Sequence, residues 1–287
     1  MDFLENERVT DYDRIFITDI SFNDEVAERL DMIHRGGVST VQLIDHHATA
    51  LHLAEKYSWC EVRVEESNLF EGEDLSRKNV KSSGTSLFYK FLRNKHLPSL
   101  MKNPKLKRFV DNVRLYDTWE WTTVYNYETP KKLNDLLYII GREKFIDRFV
   151  SEPLPLFTNA EKILLEIEEH RINKYIWKKK QDIELSTLVA NNKVYKFAYV
   201  FAEQNSSLLG NAIAKELGDA IDFVAIIDIG NNKVSLRGIH DSIDLGKDIA
   251  RLYSGGGHPK SAGFETNELL KRQILNSIFK NYDSEDN

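Results

Sequence analysis

Cysteine, long apolar runs and an excess of basic residues are all lacking in this 287-residue chain. The single cysteine, Cys60, excludes an intramolecular disulfide framework and a cysteine zinc cluster, and it favours a reducing, cytoplasmic setting. No segment approaches the roughly 18 consecutive apolar residues of a membrane span, so no membrane partner is expected. The net charge of −6 excludes a global attraction to nucleic acid, although a local basic groove remains open.

The composition is typical of a soluble globular protein that buries a sizeable core, with 41% hydrophobic and 29% charged residues. Residues 1–7 are acidic and contain no signal-peptide apolar core. The first predicted strand follows almost at once. We therefore expect that a segment upstream is missing from this α/β domain.

The short apolar run at residues 38–44 ends abruptly in Asp45, His46 and His47. Four to eight apolar residues bounded by polar ones predict a buried strand. In an open parallel sheet, ligands bind outside the carboxyl ends of the strands, where these three side chains would lie. A polar turn that happens to contain two histidines is the alternative that so short a motif leaves open.

A second apolar run, residues 13–19, has the same design and ends in Asp19. A segment with apolar residues at helical spacing joins the two runs. A strand–helix–strand unit within one sheet predicts parallel strands and a right-handed crossover. Asp19 and Asp45 should therefore emerge at the same edge of the sheet.

Two helix ends further along the chain carry polar residues of interest. Residues 82–86 place serines, a glycine and a threonine before an apolar helix, where hydroxyls act as helix caps or contribute to an anion site. A helix at 106–115 leads to Asp117, which is flanked by aromatic residues. Asp117 is either part of a surface turn or a third acidic ligand held by packed rings. A helix is also predicted at 134–150, and a polar loop at 67–81.

The domain organisation follows from the prolines and from one long charged helix. Residues 1–150 form the first domain, and two prolines in the segment 151–158 mark its boundary. An amphipathic helix from 159 to about 184 connects the domains, and the linker extends to residue 190. Residues 191–287 form a second, smaller α/β domain.

The second domain contains a glycine-rich run, Gly255, Gly256 and Gly257, which leads into His258. Three consecutive glycines cost chain entropy, so a loop of this kind indicates either backbone that approaches a ligand closely or a tight structural turn. The histidine that follows can meet a phosphate.

Taken together, these motifs resemble the DHH phosphoesterase family in its two-domain form, and most closely its oligoribonuclease (nanoRNase) group. Asp45, His46 and His47 match the eponymous motif, and Asp19 and Asp117 match the acidic motifs before and after it. The glycine run with His258 is similar to the signature of the DHH-associated C-terminal domain. The resemblance implies an α/β fold in which a parallel-sheet DHH domain is joined by a long helix to a smaller α/β C-terminal domain.

The resemblance also implies the roles of these residues. Asp19 would bridge two divalent ions, Mn²⁺ or Mg²⁺, while His46 and Asp117 would complete the second ion. His47 would face the scissile phosphate, and Asp45 would orient an imidazole. In the C-terminal domain, Arg237, Gly255, Gly256, Gly257 and His258 would bind the substrate, and the cleft between the domains would close over it.

One family motif, a histidine and two aspartates in the pattern H-x-D-x-D, does not occur in these 287 residues. Two explanations remain: the chain is an N-terminally incomplete form of an enzyme, which we favour, or a degenerate member that binds without cleaving. The expected function is a metal-dependent phosphoesterase acting on short RNA oligonucleotides or small nucleotide phosphates, and the alternative is a catalytically dead nucleotide-binding module. A homodimer is also expected, because loss of the first strand would expose a sheet edge.

Overall fold

The computed structural model describes residues 12–37, 39–64, 81–267 and 269–279. The expected acidic N-terminal segment and nearly all of the predicted 67–81 loop lie outside these residues. The chain divides into two compact units, Met1–Glu168 and Glu169–Asn287, which are described separately. Among the described residues, no helix combines the length and the apolar character needed to cross a membrane.

The first unit opens with a parallel sheet, as predicted, in the order β1-β2-β3. The strands and the helices that cross between them are β1 (Arg14–Thr18), α1 (Asp24–Arg35), β2 (Thr40–Asp45), α2 (Leu51–Lys56) and β3 (Cys60–Val62). A short 3₁₀ turn, Ala48–Ala50, precedes α2. The apolar face of α1 and the buried side of β2 form one core with α2, in which Leu30, Leu43 and Leu53 are almost completely buried.

Helices make up the rest of the first unit. They are α3 (Gly84–Lys95), α4 (Pro104–Asp117), α5 (Glu120–Thr123), α6 (Thr129–Ile140) and α7 (Arg142–Ser151), with a 3₁₀ segment at Pro98–Lys102. The single helix predicted for 134–150 is wrong, because Gly141 interrupts it with a φ of 81°. Glycine adopts this backbone region at little steric cost, and the helical hydrogen bonding ends there.

A long helix, α8 (Asn159–Lys180), continues into the second unit and ends four residues earlier than predicted. The following residues form a strand that the sequence did not indicate. The elements of the second unit are β4 (Glu184–Ala190), β5 (Lys193–Phe201), α9 (Ser206–Leu217), β6 (Phe223–Asp228), β7 (Lys233–Arg237), β8 (Gly256–His258), β9 (Ser261–Glu265) and α10 (Leu269–Ile278). A π-helical turn, Leu245–Ile249, and 3₁₀ turns at Gly218–Ala220 and Ala250–Tyr253 complete them.

The strands of the second unit form a mixed sheet in the order β4-β5-β6-β7-β9-β8. The pair β5 and β6 is parallel and is connected through α9, while the other neighbours are antiparallel. One face packs on α9 through Leu209 and Ile213, and the other packs on the π-helical turn through Leu245 and Ile249. The mixed α/β class predicted from sequence is therefore confirmed.

The glycine-rich run is not a loop, as the sequence suggested, but largely a strand. Gly256–His258 pairs with Ser261–Glu265 in an antiparallel hairpin. A Cβ atom on Gly255 would lie 2.2 Å from the carbonyl oxygen of Gly263, and one on Gly257 would lie 2.6 Å from Cα of Ala262. The glycines thus permit a close approach between neighbouring segments of the sheet.

Candidate metal centre

Asp19 follows β1 directly and has a left-handed backbone, with a φ of 63°. Aspartate tolerates this region better than most residues. Its N–H donates to the carbonyl oxygen of Ile44 at 3.3 Å, so the chain remains beside β2 after the strand has ended. The carboxylate is thereby directed toward the residues that follow β2.

The three predicted metal ligands lie close together, with His46 between the two aspartates. The Nε2 atom of His46 lies 2.9 Å from Oδ1 of Asp19 and 3.4 Å from Oδ2 of Asp117. Asp117 is the last residue of α4, and its flanking rings pack together, with the Tyr116 and Trp121 ring centroids 6.4 Å apart. The structure therefore does not place Asp117 in an isolated surface turn.

Asp45 is completely buried at the end of β2 and accepts three hydrogen bonds. Its Oδ1 accepts from the backbone N–H of His46 at 2.8 Å and contacts Nδ1 of His47 at 2.7 Å, while its Oδ2 accepts from the Ser21 hydroxyl at 3.1 Å. A carboxylate held in this way fixes the orientation of the imidazole it contacts. This geometry is compatible with the orienting role that the resemblance implies, which stays a prediction.

The charged side chains around His46 shift one another's pKa values. Burial, followed by the neighbouring Asp19, raises the pKa of Asp117 to about 6. Burial opposes ionisation of Asp19 and Asp45 as well, but histidine contacts offset it and leave the pKa of both carboxyls lowered. Burial also disfavours the charged form of His46, yet the adjacent carboxylates raise its pKa overall. Two carboxylates this close repel each other unless a cation lies between them.

Gly84, at the start of α3, is a contributor that sequence reasoning missed. Its N–H donates to Oδ1 of Asp19 at 3.3 Å, and a Cβ atom at position 84 would lie 2.4 Å from Cβ of Asp19. The preceding Ser83 is the N-cap and forms a reciprocal capping box with Ser86. The hydroxyls of Ser83 and Ser86 are therefore helix caps. The glycine between them, Gly84, was the feature of the sequence that could have indicated the close contact with Asp19.

A buried ion pair beside Asp117 was also missed. The Nη1 atom of Arg114 lies 2.5 Å from Oε2 of Glu120 and also donates to the carbonyl oxygen of Lys81. Thr118 donates to the same Glu120 oxygen at 2.8 Å. These contacts connect the last turn of α4 to α5, and so they determine where Asp117 lies.

The donor set of this cluster fits a hard divalent cation. One possible ligand atom from each of Asp19, Asp45, His46 and His47 lies within 4.8 Å of the others, and Asp117 adds a third carboxylate beside His46. Carboxylate and imidazole ligands without thiolate suit Mn²⁺ or Mg²⁺. We refer to Asp19, Asp45, His46, His47 and Asp117 as the acid–imidazole cluster.

In the second unit, the strand register aligns the residues predicted to bind substrate. Arg237 pairs with Ser261, and Ser261 pairs in turn with His258. Directly paired residues of antiparallel strands point to the same face of a sheet. The side chains of Arg237 and His258 therefore stand in one row, and Gly256 pairs with Gly263 in the next row.

A comparison with curated proteins finds one relative of the whole chain. The chain is 37% identical over 284 residues to the oligoribonuclease NrnB of Bacillus subtilis, an alignment that covers 97% of the chain and 66% of that relative. No protein-family model matches the chain. The chain thus spans about two thirds of the length of NrnB.

Three solved structures give weaker likenesses. One is an uncharacterized protein from Helicobacter pylori, with 18% identity, a TM-score of 0.38 and coverage of 96% of this chain and 85% of that one. Another is an exopolyphosphatase-related protein from Bacteroides fragilis, with 14% identity, a TM-score of 0.43 and coverage of 93% and 70%. The third is a pGpG-specific phosphodiesterase from Vibrio cholerae, with 9% identity, a TM-score of 0.35 and coverage of 93% and 97%.

The parallel sheet with acids and imidazoles at its strand ends, and the separate second α/β unit, are consistent with a DHH domain and a DHH-associated C-terminal domain. The chain belongs to the DHH phosphoesterase family, near its nanoRNase group. The predicted family is therefore confirmed.

Proposed function

We propose that this protein is a metal-dependent phosphodiesterase that hydrolyses short RNA oligonucleotides or small nucleotide phosphates. The observation that carries the proposal is the position of His46 Nε2, 2.9 Å from Asp19 and 3.4 Å from Asp117. Carboxylate and imidazole groups are ligands that suit a divalent ion, and the chain is related to an oligoribonuclease over almost its whole length.

In this proposal, Asp19, His46 and Asp117 hold Mn²⁺ or Mg²⁺. Such ions, when bound, would lower the pKa of a water molecule and neutralise charge on the phosphate. Asp45 holds Nδ1 of His47. A neutral His47 that donates through Nδ1 carries its lone pair on Nε2, where a proton can be taken up and delivered again.

The substrate is held by Arg237, the glycine run and His258 in the second unit. The guanidinium suits a phosphate because it presents paired N–H donors, and backbone N–H groups beside glycines can approach an anion closely. A cytoplasmic location, a homodimer and closure of a cleft between the domains remain predictions.

The test is the release of mononucleotide from an RNA dinucleotide in the presence of Mn²⁺. We expect His46→Ala to abolish release and to weaken Mn²⁺ binding measured by calorimetry, while His52→Ala, which alters a half-exposed histidine outside the cluster, retains both. Asp45→Asn should lower the rate about 10- to 100-fold, the usual effect of removing an orienting partner.

A second candidate is a nucleotide-binding module without catalysis, which the absence of the H-x-D-x-D pattern from these 287 residues favours. It predicts no release of mononucleotide by the wild-type chain at any Mn²⁺ concentration. It also predicts that His46→Ala binds nucleotide as tightly as wild type. That pair of results would reject the catalytic proposal.

A further inference from the structure

A cleft of about 360 Å³ opens at the carboxyl ends of β5 and β6 in the second unit. These parallel strands are joined through α9, so their carboxyl ends and the N-terminus of α9 lie at the same edge. In parallel arrangements, this edge is where ligands bind. Ile226 and Ser235 line the cleft together with the segment that leads into α9.

Ser235 is the most informative residue of this cleft. Only 7% of the residue is exposed, yet its hydroxyl makes no hydrogen bond within the part of the chain that the structure describes. Because Ser235 lines the cleft, a ligand there can supply the missing partner.

Ser235 lies in a stripe of polar residues on β7. Lys233, Ser235 and Arg237 alternate with buried Val234 and Leu236 and therefore point to the same face of the sheet. Alternate residues on a strand are about 6.6 Å apart along it. The stripe thus extends from Arg237 through Ser235 to the exposed Lys233.

Arg237 is fixed at one end of this stripe by α9. Its Nη2 donates to the hydroxyl of Ser207, in the first turn of α9, at 2.6 Å. A Cβ atom at position 210 would lie 2.7 Å from Cγ of Arg237, so Gly210 makes room for the stem of the arginine. The guanidinium is therefore preorganised beside the cleft.

The two acidic residues that line the cleft are already engaged. Asp228 accepts hydrogen bonds from both the backbone and the side chain of Asn231, at 3.0 and 2.7 Å. Glu203 lies 3.6 Å from Nζ of Lys179. The N-cap residue of α9, Asn205, makes no side-chain capping bond. The donors that a ligand can meet in this cleft are the Lys233 ammonium, the Ser235 hydroxyl and the N–H groups at the start of α9, and such donors suit an anion.

We propose that this cleft binds a second phosphate group of the substrate, next to the phosphate held by Arg237, through Ser235, Lys233 and the N-terminus of α9. This inference rests on the proposed function and narrows its substrate class. The preferred substrates carry two or more phosphate groups, as an RNA oligonucleotide of three or more nucleotides does. A dinucleotide without terminal phosphates occupies the Arg237 position alone.

The test measures binding of an RNA pentanucleotide and of an unphosphorylated RNA dinucleotide by calorimetry, in EDTA so that no cleavage occurs. We expect Ser235→Ala and Lys233→Gln each to weaken pentanucleotide binding roughly three- to tenfold, the effect of one lost hydrogen bond. Dinucleotide binding should be unchanged in both variants. Lys215→Gln, which removes an exposed lysine from the other end of α9, is the matched control and should bind both ligands as wild type.

The outcomes separate this inference from the proposed function. Arg237→Gln should weaken binding of both ligands. If it does so while Ser235→Ala and Lys233→Gln bind the pentanucleotide as wild type, the second phosphate site is rejected and the proposed function stands. If wild type binds neither ligand, the second site is rejected as well. If it binds both but releases no mononucleotide with Mn²⁺, catalysis is rejected and the site is judged from the binding data alone.

Discussion

Gly84 and Asp19 are so close that a methyl group on Gly84 would lie 2.4 Å from Cβ of Asp19. The backbone N–H of Gly84 also donates to the Asp19 carboxylate. The N-terminus of α3 thus positions a predicted metal ligand that comes 65 residues earlier in the chain.

We expect Gly84→Ala to displace Asp19, because neither backbone can yield without moving β1 or α3. Overpacking of this kind costs about 1–3 kcal/mol of stability, and Mn²⁺ affinity should fall with it. Calorimetric titration with Mn²⁺ and thermal unfolding measure the two effects. Gly230→Ala is the control, because its Cβ would meet one side-chain oxygen at 3.4 Å. Unchanged Mn²⁺ affinity in Gly84→Ala would contradict the positioning role.

The raised pKa of Asp117 predicts a pH-dependent stability in the metal-free protein. The pKa of Asp117 in the folded state lies above its ordinary value of 3.8, so the protonated carboxyl favours folding. This contribution is complete below pH 3.8 and is lost as the pH rises through about 6. At pH 7, Asp117→Asn should therefore be more stable than wild type in EDTA. We expect a gain of about 1 kcal/mol, since the side chain is partly exposed and solvent screens the effect.

Thermal unfolding in EDTA at pH 7 and pH 4 tests this prediction, with the exposed Asp147→Asn as control. The advantage of Asp117→Asn should disappear at pH 4. Added Mn²⁺ should reverse the order at pH 7, because an ion that binds the folded state stabilises wild type more than the variant. A variant that is less stable than wild type in EDTA at pH 7 would refute the interpretation.

The buried pair of Arg114 and Glu120 should be essential for the position of Asp117. Removing one member leaves an uncompensated buried charge, so Glu120→Ala should cost about 3–5 kcal/mol, and the double substitution with Arg114→Met should cost less. Urea unfolding gives these values. The exposed pair of Lys132 and Glu128 is the comparison, where Lys132→Ala should change stability by no more than about 0.5 kcal/mol. If the free-energy changes of Glu120→Ala and Arg114→Met simply add in the double variant, the two side chains are not energetically coupled.

Cys60 should be unreactive in the folded protein. Burial, followed by the charge of Asp31, raises the pKa of its thiol from 9.0 to about 12, which lowers the thiolate fraction at pH 8 roughly a thousandfold. Reaction with a chromogenic disulfide reagent should be slow for the native chain and fast in urea. Fast labelling under native conditions, together with an unchanged circular dichroism spectrum, would show that the thiol is accessible and ionised.

Much of the first unit could be predicted because its signals are local. Apolar runs of strand length separated by a helical segment determine that β1 and β2 are parallel, and hence that Asp19 and Asp45 leave the same edge. The elements that were missed depend on partners remote in sequence. β8 is rich in glycine, a poor strand former, and becomes a strand only because β9 pairs with it. β4 pairs with β5 over seven residues although its side chains are mostly exposed.

The sequence by itself determined the family, the α/β class and the identity of the side chains in the acid–imidazole cluster, because each follows from residue types at fixed short spacings. Only the tertiary structure decided the distance between His46 and Asp117, the support of Asp19 by Gly84 and the unpartnered hydroxyl of Ser235. These depend on how separate helices and strands pack against one another. Such packing is the sum of many weak contacts between residues far apart in the chain, and no short pattern encodes it.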